Sequence, residues 1–224
     1  MGTPTDTPSP DALLLLGTHC PHCPTVLKEL GELLKAGTLG SLQAVNIEQR
    51  PELARELGVR TVPWVRIGPF ELEGLRTAAE FRDWAEKAGT DAGMAAYLDE
   101  LLLSGRIHKG LELVNSDPAV INALLILFAD PETGLNTRIG ISAMMEDLQG
   151  SNMLKGIIPR LAELTKHREA RIRGDACHYL ALTDDRQAAA FIRPLLEDDD
   201  AAVRDIARES LAALEDTQPR GGPD

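Results

Sequence analysis

The chain has 224 residues and is 43% hydrophobic, enough for one large or two small domains with a true core. A formal net charge of −12 without basic runs argues against nucleic acid or an anionic membrane as partner. Three cysteines, two of them three residues apart, do not make a secreted disulfide scaffold. The segment 1–10 is rich in Pro and Thr and reads as a flexible lead-in. The apolar run Leu13–Leu16 is too short for a signal-peptide core, and no later run approaches a membrane span. These features predict a soluble protein of a reducing, cytoplasmic compartment.

The first strand is expected over about 12–17. It runs into Thr18-His19-Cys20-Pro21-His22-Cys23-Pro24, and an amphipathic helix follows to about Ala36, with Val26, Leu27, Leu30, Leu33 and Leu34 at helical spacing. Strand, tight turn and helix place both cysteines at a helix N-terminus, where unpaired N–H groups and the helix dipole stabilise an anion. Cysteine pKa values in such Cys-x-x-Cys turns fall from about 8.5 toward roughly 3.5–7. Cys20 is expected to be the attacking thiolate, being the more exposed sulfur, with Cys23 resolving the mixed disulfide. Pro21 and His22, between them, are expected to tune the potential. Two alternatives exist for the pair. A zinc site would need further ligands, and Cys177 is the only other cysteine. Two inert buried cysteines are the other.

A second strand is predicted over Leu42–Ile47, a short helix over Glu52–Leu57, a third strand over Thr61–Ile67 and a fourth at Phe70–Glu73 across a Gly68-Pro69 turn. A helix over Ala78–Ala88 turns Phe81, Trp84 and Ala85 inward. The order is β-α-β-α-β-β-α over residues 11–89. With Cys20-x-x-Cys23, Asn46-Ile47-Glu48-Gln49-x-Pro51 and Val59-Arg60-Thr61-Val62-Pro63, it resembles the thioredoxin superfamily of α/β folds. That resemblance implies a thiol–disulfide oxidoreductase acting on protein disulfides, with no cofactor beyond the Cys20–Cys23 pair. It also implies a cis peptide bond before Pro63, a Val62 backbone that meets an extended substrate, and a reductase or oxidant as redox partner. The chain departs from the pattern in four places, the first being the absence of the tryptophan that thioredoxins carry just before the motif. Leu14 stands where thioredoxins carry a buried aspartate, and Ala44 where they carry a lysine. Leu75-Arg76-Thr77 follows Gly74 where glutaredoxins have glycine and acidic residues that hold glutathione.

Gly89–Gly93 reads as a linker, and helices are predicted over about 94–104, 107–115, 118–129, 136–149, 153–166, 170–182, 185–196 and 201–215. Ala170-x-Ile172-Arg173-x-x-Ala176 recurs as Ala201-x-Val203-Arg204-x-x-Ala207, each copy preceded by a Pro-containing apolar helix. With the acidic turn Glu197–Asp200 before Val203-Arg204, this resembles HEAT repeats. The resemblance implies a stacked α-helical domain over 93–216 that holds a protein partner. Cys177 is expected to be a small buried hydrophobe, and 217–224 a flexible tail. A non-enzymatic redox sensor or scaffold is the rival to the oxidoreductase.

Overall fold

The computed structural model describes residues 8–216. The segments 1–7 and 217–224, expected to be flexible, lie outside the described residues. Ser9 and Pro10 do not belong to a loose lead-in. The Ser9 hydroxyl donates to the Gly37 carbonyl at 2.8 Å, and the Gly40 N–H donates to the Pro10 carbonyl at 2.9 Å.

The chain divides into two compact units between Tyr97 and Leu98. The first holds β1 (Asp11–Leu16), α1 (Cys23–Lys35), β2 (Ser41–Asn46), α2 (Pro51–Glu56), β3 (Trp64–Ile67), β4 (Phe70–Glu73) and α3 (Ala78–Lys87). The element order is the one read from the sequence. The strands form a mixed sheet in the order β2-β1-β3-β4, with β1 parallel to β2 and antiparallel to β3. β1 is central, which is why Leu13, Leu14 and Leu15 form an unbroken apolar run: both faces of the strand are covered. On one face Leu13, Leu15 and Trp64 meet Leu53, Leu57, Val59 and Val62. α1 sends Val26, Leu30 and Leu33 into the interior at helical spacing, and α3, closed at its start by a Thr77–Glu80 capping box, buries Phe81 and Trp84.

Two predicted boundaries move. β3 begins at Trp64 rather than Thr61, because the Pro63 nitrogen has no hydrogen to give to the ladder. The predicted linker shrinks to Gly89-Thr90, since α4 starts at Asp91 and runs to Leu103. Gly89 takes φ 78° after α3, and the Thr90 hydroxyl accepts the Gly93 N–H at 2.9 Å. Gly93 is required by proximity: a Cβ there would collide with the Lys87 backbone. The unit therefore extends past Gly89 to Tyr97, whose ring packs on Phe70 and Trp84 at centroid distances of 5.2 and 5.9 Å.

The second unit is helical, with no strand among its described residues. It comprises the end of α4, then α5 (Ile107–Ser116), α6 (Val120–Ala129), α7 (Leu135–Asp147), α8 (Asn152–Gly156), α9 (Ile158–Leu164) and α10 (Ala170–Leu182). α11 (Ala189–Ile192), between two short 3-10 turns, and α12 (Ala201–Asp216) complete it. Two predicted helices are interrupted. The one over 153–166 breaks at Ile157, two residues before Pro159, and the one over 185–196 tightens to a 3-10 turn from Arg193 to Glu197 around Pro194.

The 31-residue offset reappears as hydrogen bonding. Arg173 Nη1 donates to the carbonyls of His167 and Arg168, six and five residues back, at 3.0 and 3.1 Å. Arg204 Nη1 donates to those of Asp198 and Asp199, again six and five back, at 2.6 and 3.0 Å. Arg173 also grips the Asp198 carboxylate through Nε and Nη2, both at 2.7 Å, so the turn before α12 is tied to α10. α10 meets α12 at Gly174, where a Cβ would lie 2.9 Å from Ile206 Cδ1, and at Cys177, which bonds Ser210. At the equivalent positions α12 carries Asp205 and Arg208, an exposed ion pair.

Candidate functional site

The site is built at the C-terminal end of β1. Gly17 to His22 form the turn between β1 and α1, and Cys20 and Cys23 are joined by a disulfide with Cα atoms 5.5 Å apart. The sequence reading placed both cysteines in the helix start, but α1 begins at Cys23, with exposed His22 as its N-cap residue and Pro24 in its first turn. Cys20 precedes the helix. It reaches the helix N-terminus through its side chain, because the Cys23 backbone N–H points at Cys20 Sγ at 3.2 Å. That amide is one of the orphan donors of the first turn, so it stabilises negative charge on Sγ once the pair is reduced. Cys23 is buried at 3% exposure and Cys20 is half-buried, so an incoming group meets the Cys20 sulfur first.

The turn before β3 forms the opposite wall. Val62 and the cis, buried Pro63 bring the Val62 carbonyl oxygen to 3.7 Å from Cys20 Sγ. A Cβ on Gly17 would lie 3.3 Å from Val62 Cγ2 and 3.9 Å from Cys20 Cβ, so glycine lets the two turns approach. The structure thus brings Cys20, Cys23, Val62 and Pro63 together, while Pro21 and His22 lie exposed beside them. Leu14, in the middle of β1, is fully buried.

Three polar residues at this site were given no role by sequence reasoning. The Thr18 N–H donates to Glu48 Oε1 at 2.8 Å, Asn46 Nδ2 donates to Thr18 Oγ1 at 3.0 Å, and the Glu48 N–H donates to Asn46 Oδ1 at 2.9 Å. The Thr18 side-chain and backbone hydrogen bonds hold the Glu48 carboxyl below the usual carboxylate range, and His19 adds to this. The available signal was Asn46-x-Glu48 at the exit of a strand parallel to the one that leads into the motif.

The third cysteine is chemically different. Cys177 is fully buried and unpaired to sulfur, and burial pushes its thiol up to about 11 despite the Ser210 hydrogen bond. No helix among the described residues is long and apolar enough to cross a membrane.

Residues 12–86 match the family described as a thioredoxin domain. The matched span takes in all of the sheet but Asp11, the Cys20–Cys23 turn and the cis-Pro63 turn, so the first unit has a thioredoxin-like fold followed by a helical region. No curated protein matches the chain.

Proposed function

We propose that the protein is a thiol–disulfide oxidoreductase acting on protein disulfides. The observation that carries this reading is the Cys23 amide at 3.2 Å from the sulfur of the more exposed cysteine, next to the Val62 carbonyl. In the reducing direction the Cys20 thiolate attacks a substrate disulfide. A Cys20–substrate disulfide forms, and the other substrate sulfur leaves as a thiolate and takes up a proton. Cys23, having lost its proton, then attacks Cys20 Sγ and closes the disulfide seen here, releasing the second substrate sulfur as a thiol. Two electrons pass to the substrate, and a reductase or small thiol must return them. In the oxidising direction the same steps run backwards. A reduction potential of the pair of about −120 mV would mark an oxidant, and one of about −270 mV a reductant.

Val62 and Pro63 are assigned the substrate-contacting wall, and Pro21 and His22 the tuning of the potential. The helical unit is read as a HEAT-type stack that selects the protein partner, on the strength of the matching Arg173 and Arg204 hydrogen bonds. The compartment that suits this chemistry is the cytoplasm. In Cys23→Ser the resolving thiol is gone, so a protein disulfide should be captured as a mixed disulfide at Cys20 that dithiothreitol releases. No adduct, or one equally abundant in Cys20→Ser, would reject the reading.

One observation favours a second reading, a redox-sensing scaffold. Leu14 leaves no carboxylate at the position where thioredoxins keep one to assist proton transfer. In that case partners should co-purify equally with wild type and Cys20→Ser.

A further inference from the structure

The structure assigns Glu48, together with Asn46, as the positioning group for Cys20: the two clasp the turn that carries the cysteine and so set how reactive its thiolate is. This deepens the oxidoreductase reading and rests on it. The turn from Gly17 to His22 has no ladder of its own, and in principle its sulfur could occupy many positions. Two hydrogen bonds restrict it, both on Thr18, two residues before Cys20, and a third joins the residues that make them. Glu48 Oε1 accepts the Thr18 N–H at 2.8 Å, and Asn46 Nδ2 donates to the Thr18 hydroxyl at 3.0 Å. Asn46 Oδ1 accepts the Glu48 N–H at 2.9 Å, which fixes the two clasping residues to each other.

The clasp is anchored on a rigid element. Asn46 is the last residue of β2 and sits in register with Leu16, the last residue of β1, while the Ile47 N–H continues the ladder to the Leu16 carbonyl. Glu48 also reaches the surroundings of the sulfur. Its Oε1 lies 3.6 Å from where a Gly17 Cβ would be, and that same point is 3.9 Å from Cys20 Cβ and 3.3 Å from Val62 Cγ2. The carboxylate and the Val62 side chain therefore both approach the same point beside Gly17. Holding Thr18 holds Cys20 Sγ where the Cys23 amide can reach it. A site held by side chains that are themselves hydrogen-bonded keeps its geometry; one left to a free loop does not. Glu48 makes no contact with the reacting sulfurs and acts through Thr18.

Glu48→Ala removes both the charge and the acceptor, whereas Glu48→Gln removes the charge and keeps an oxygen able to accept the Thr18 N–H. Comparing these two variants holds charge constant and isolates the clasp. In the full-length reduced protein, iodoacetamide modification of Cys20 is followed by mass mapping from about pH 4 to pH 9, with circular dichroism to verify folding. Losing one charge-assisted hydrogen bond to the thiolate moves the midpoint by about one pH unit. Glu48→Ala is therefore expected to show a midpoint about one pH unit above that of Glu48→Gln, and about tenfold slower labelling at pH 6. Asn46→Ala, which leaves Glu48 in place, is expected to shift the midpoint in the same direction and gives a second test should Glu48→Ala fold poorly. Equal midpoints in Glu48→Ala and Glu48→Gln, or no shift in Asn46→Ala where Glu48→Ala is unfolded, would overturn the assignment. Disulfide turnover is measured on the same preparations. A midpoint difference between Glu48→Ala and Glu48→Gln with no turnover by wild type defeats the oxidoreductase reading alone; wild-type turnover with equal midpoints in the two variants defeats the clasp alone.

Discussion

Cys20 and Cys177 show how the two units treat the same side chain. In the α/β unit the sulfur of Cys20 sits in a turn between strand and helix, half-exposed, with a backbone amide 3.2 Å away to receive charge. In the helical unit Cys177 lies where α10 packs on α12, fully buried, with its thiol pushed up to about 11 by burial. A thiolate needs donors and access; a packing sulfur needs neither. The first unit spends its polar groups on a surface turn, through Thr18, Asn46 and Glu48. The second uses a partly covered pair: Arg173 and Asp198, with side chains 16% and 8% exposed, tie α10 to the turn before α12. A cysteine's chemistry is set by the element that presents it.

The largest effect that can break this contrast is in thiol reactivity. At pH 7 in the native, reduced protein, Cys20 should be alkylated about a thousandfold faster than Cys177, because the thiolate is the reacting form and Cys177 is both protonated and enclosed. Mass mapping of iodoacetamide adducts reads both rates at once, and comparable rates would erase the distinction.

Next in size is the helical unit's internal ion pair. Arg173→Ala removes two charge-assisted bonds to Asp198 and two to loop carbonyls, leaving a largely covered carboxylate with only the Asp200 N–H as hydrogen-bond donor. A loss of about 3 kcal/mol is expected, read as a fall of roughly 10 °C in the melting of that unit. The Cys20 labelling rate should not change.

A smaller effect is the pH dependence of the same pair. Hydrogen bonds from Arg173 hold the Asp198 carboxyl below the usual carboxylate range. Because its folded value is depressed, its stabilisation is present above the unfolded value of about 4 and is lost as pH falls through the folded value. The difference in melting temperature between wild type and Asp198→Asn should therefore be constant near neutrality and shrink below about pH 4. A gap independent of pH would show that the pair contributes nothing through charge.

The smallest effect sharpens the comparison. Arg208→Ala breaks an ion pair with Asp205 at the positions that Cys177 and Gly174 occupy one repeat earlier, but there both partners are exposed. It should cost less than about 0.5 kcal/mol by thermal melting. A larger loss would mean that the outer face of α12 is covered rather than solvated.

Most of the fold was legible because the periodicities are clean. Alternation in Phe70–Glu73, the apolar run in β1 and the 3.6-residue spacing in α1 each pointed to one element, and the order β-α-β-α-β-β-α followed. The repeat of Arg173 at Arg204 was visible as an offset before its hydrogen bonds were. What sequence did not show depended on proximity between distant residues. Gly93 reads as linker until the Lys87 backbone is seen beside it, and Tyr97 joins the first unit through ring contacts with Phe70 and Trp84 and hydroxyl contacts with Glu71. The breaks at Pro159 and Pro194 were missed because apolar spacing continues through them. In the site, Cys20, Cys23, Val62 and Pro63 were identified from motif spacing, yet Thr18 and Glu48 lie thirty residues apart in sequence, and ordinary polar residues at that distance carry no local signature.

The central claim is that the Cys20–Cys23 pair exchanges disulfides with protein substrates. Its most direct test is turnover on a protein disulfide with dithiothreitol as the electron source, following the appearance of reduced substrate. Wild type should accelerate the reaction in proportion to its concentration, with Cys20→Ser falling to the rate of dithiothreitol alone and Cys177→Ser retaining wild-type turnover. A wild type no faster than dithiothreitol alone, or a Cys20→Ser variant as fast as wild type, would contradict it.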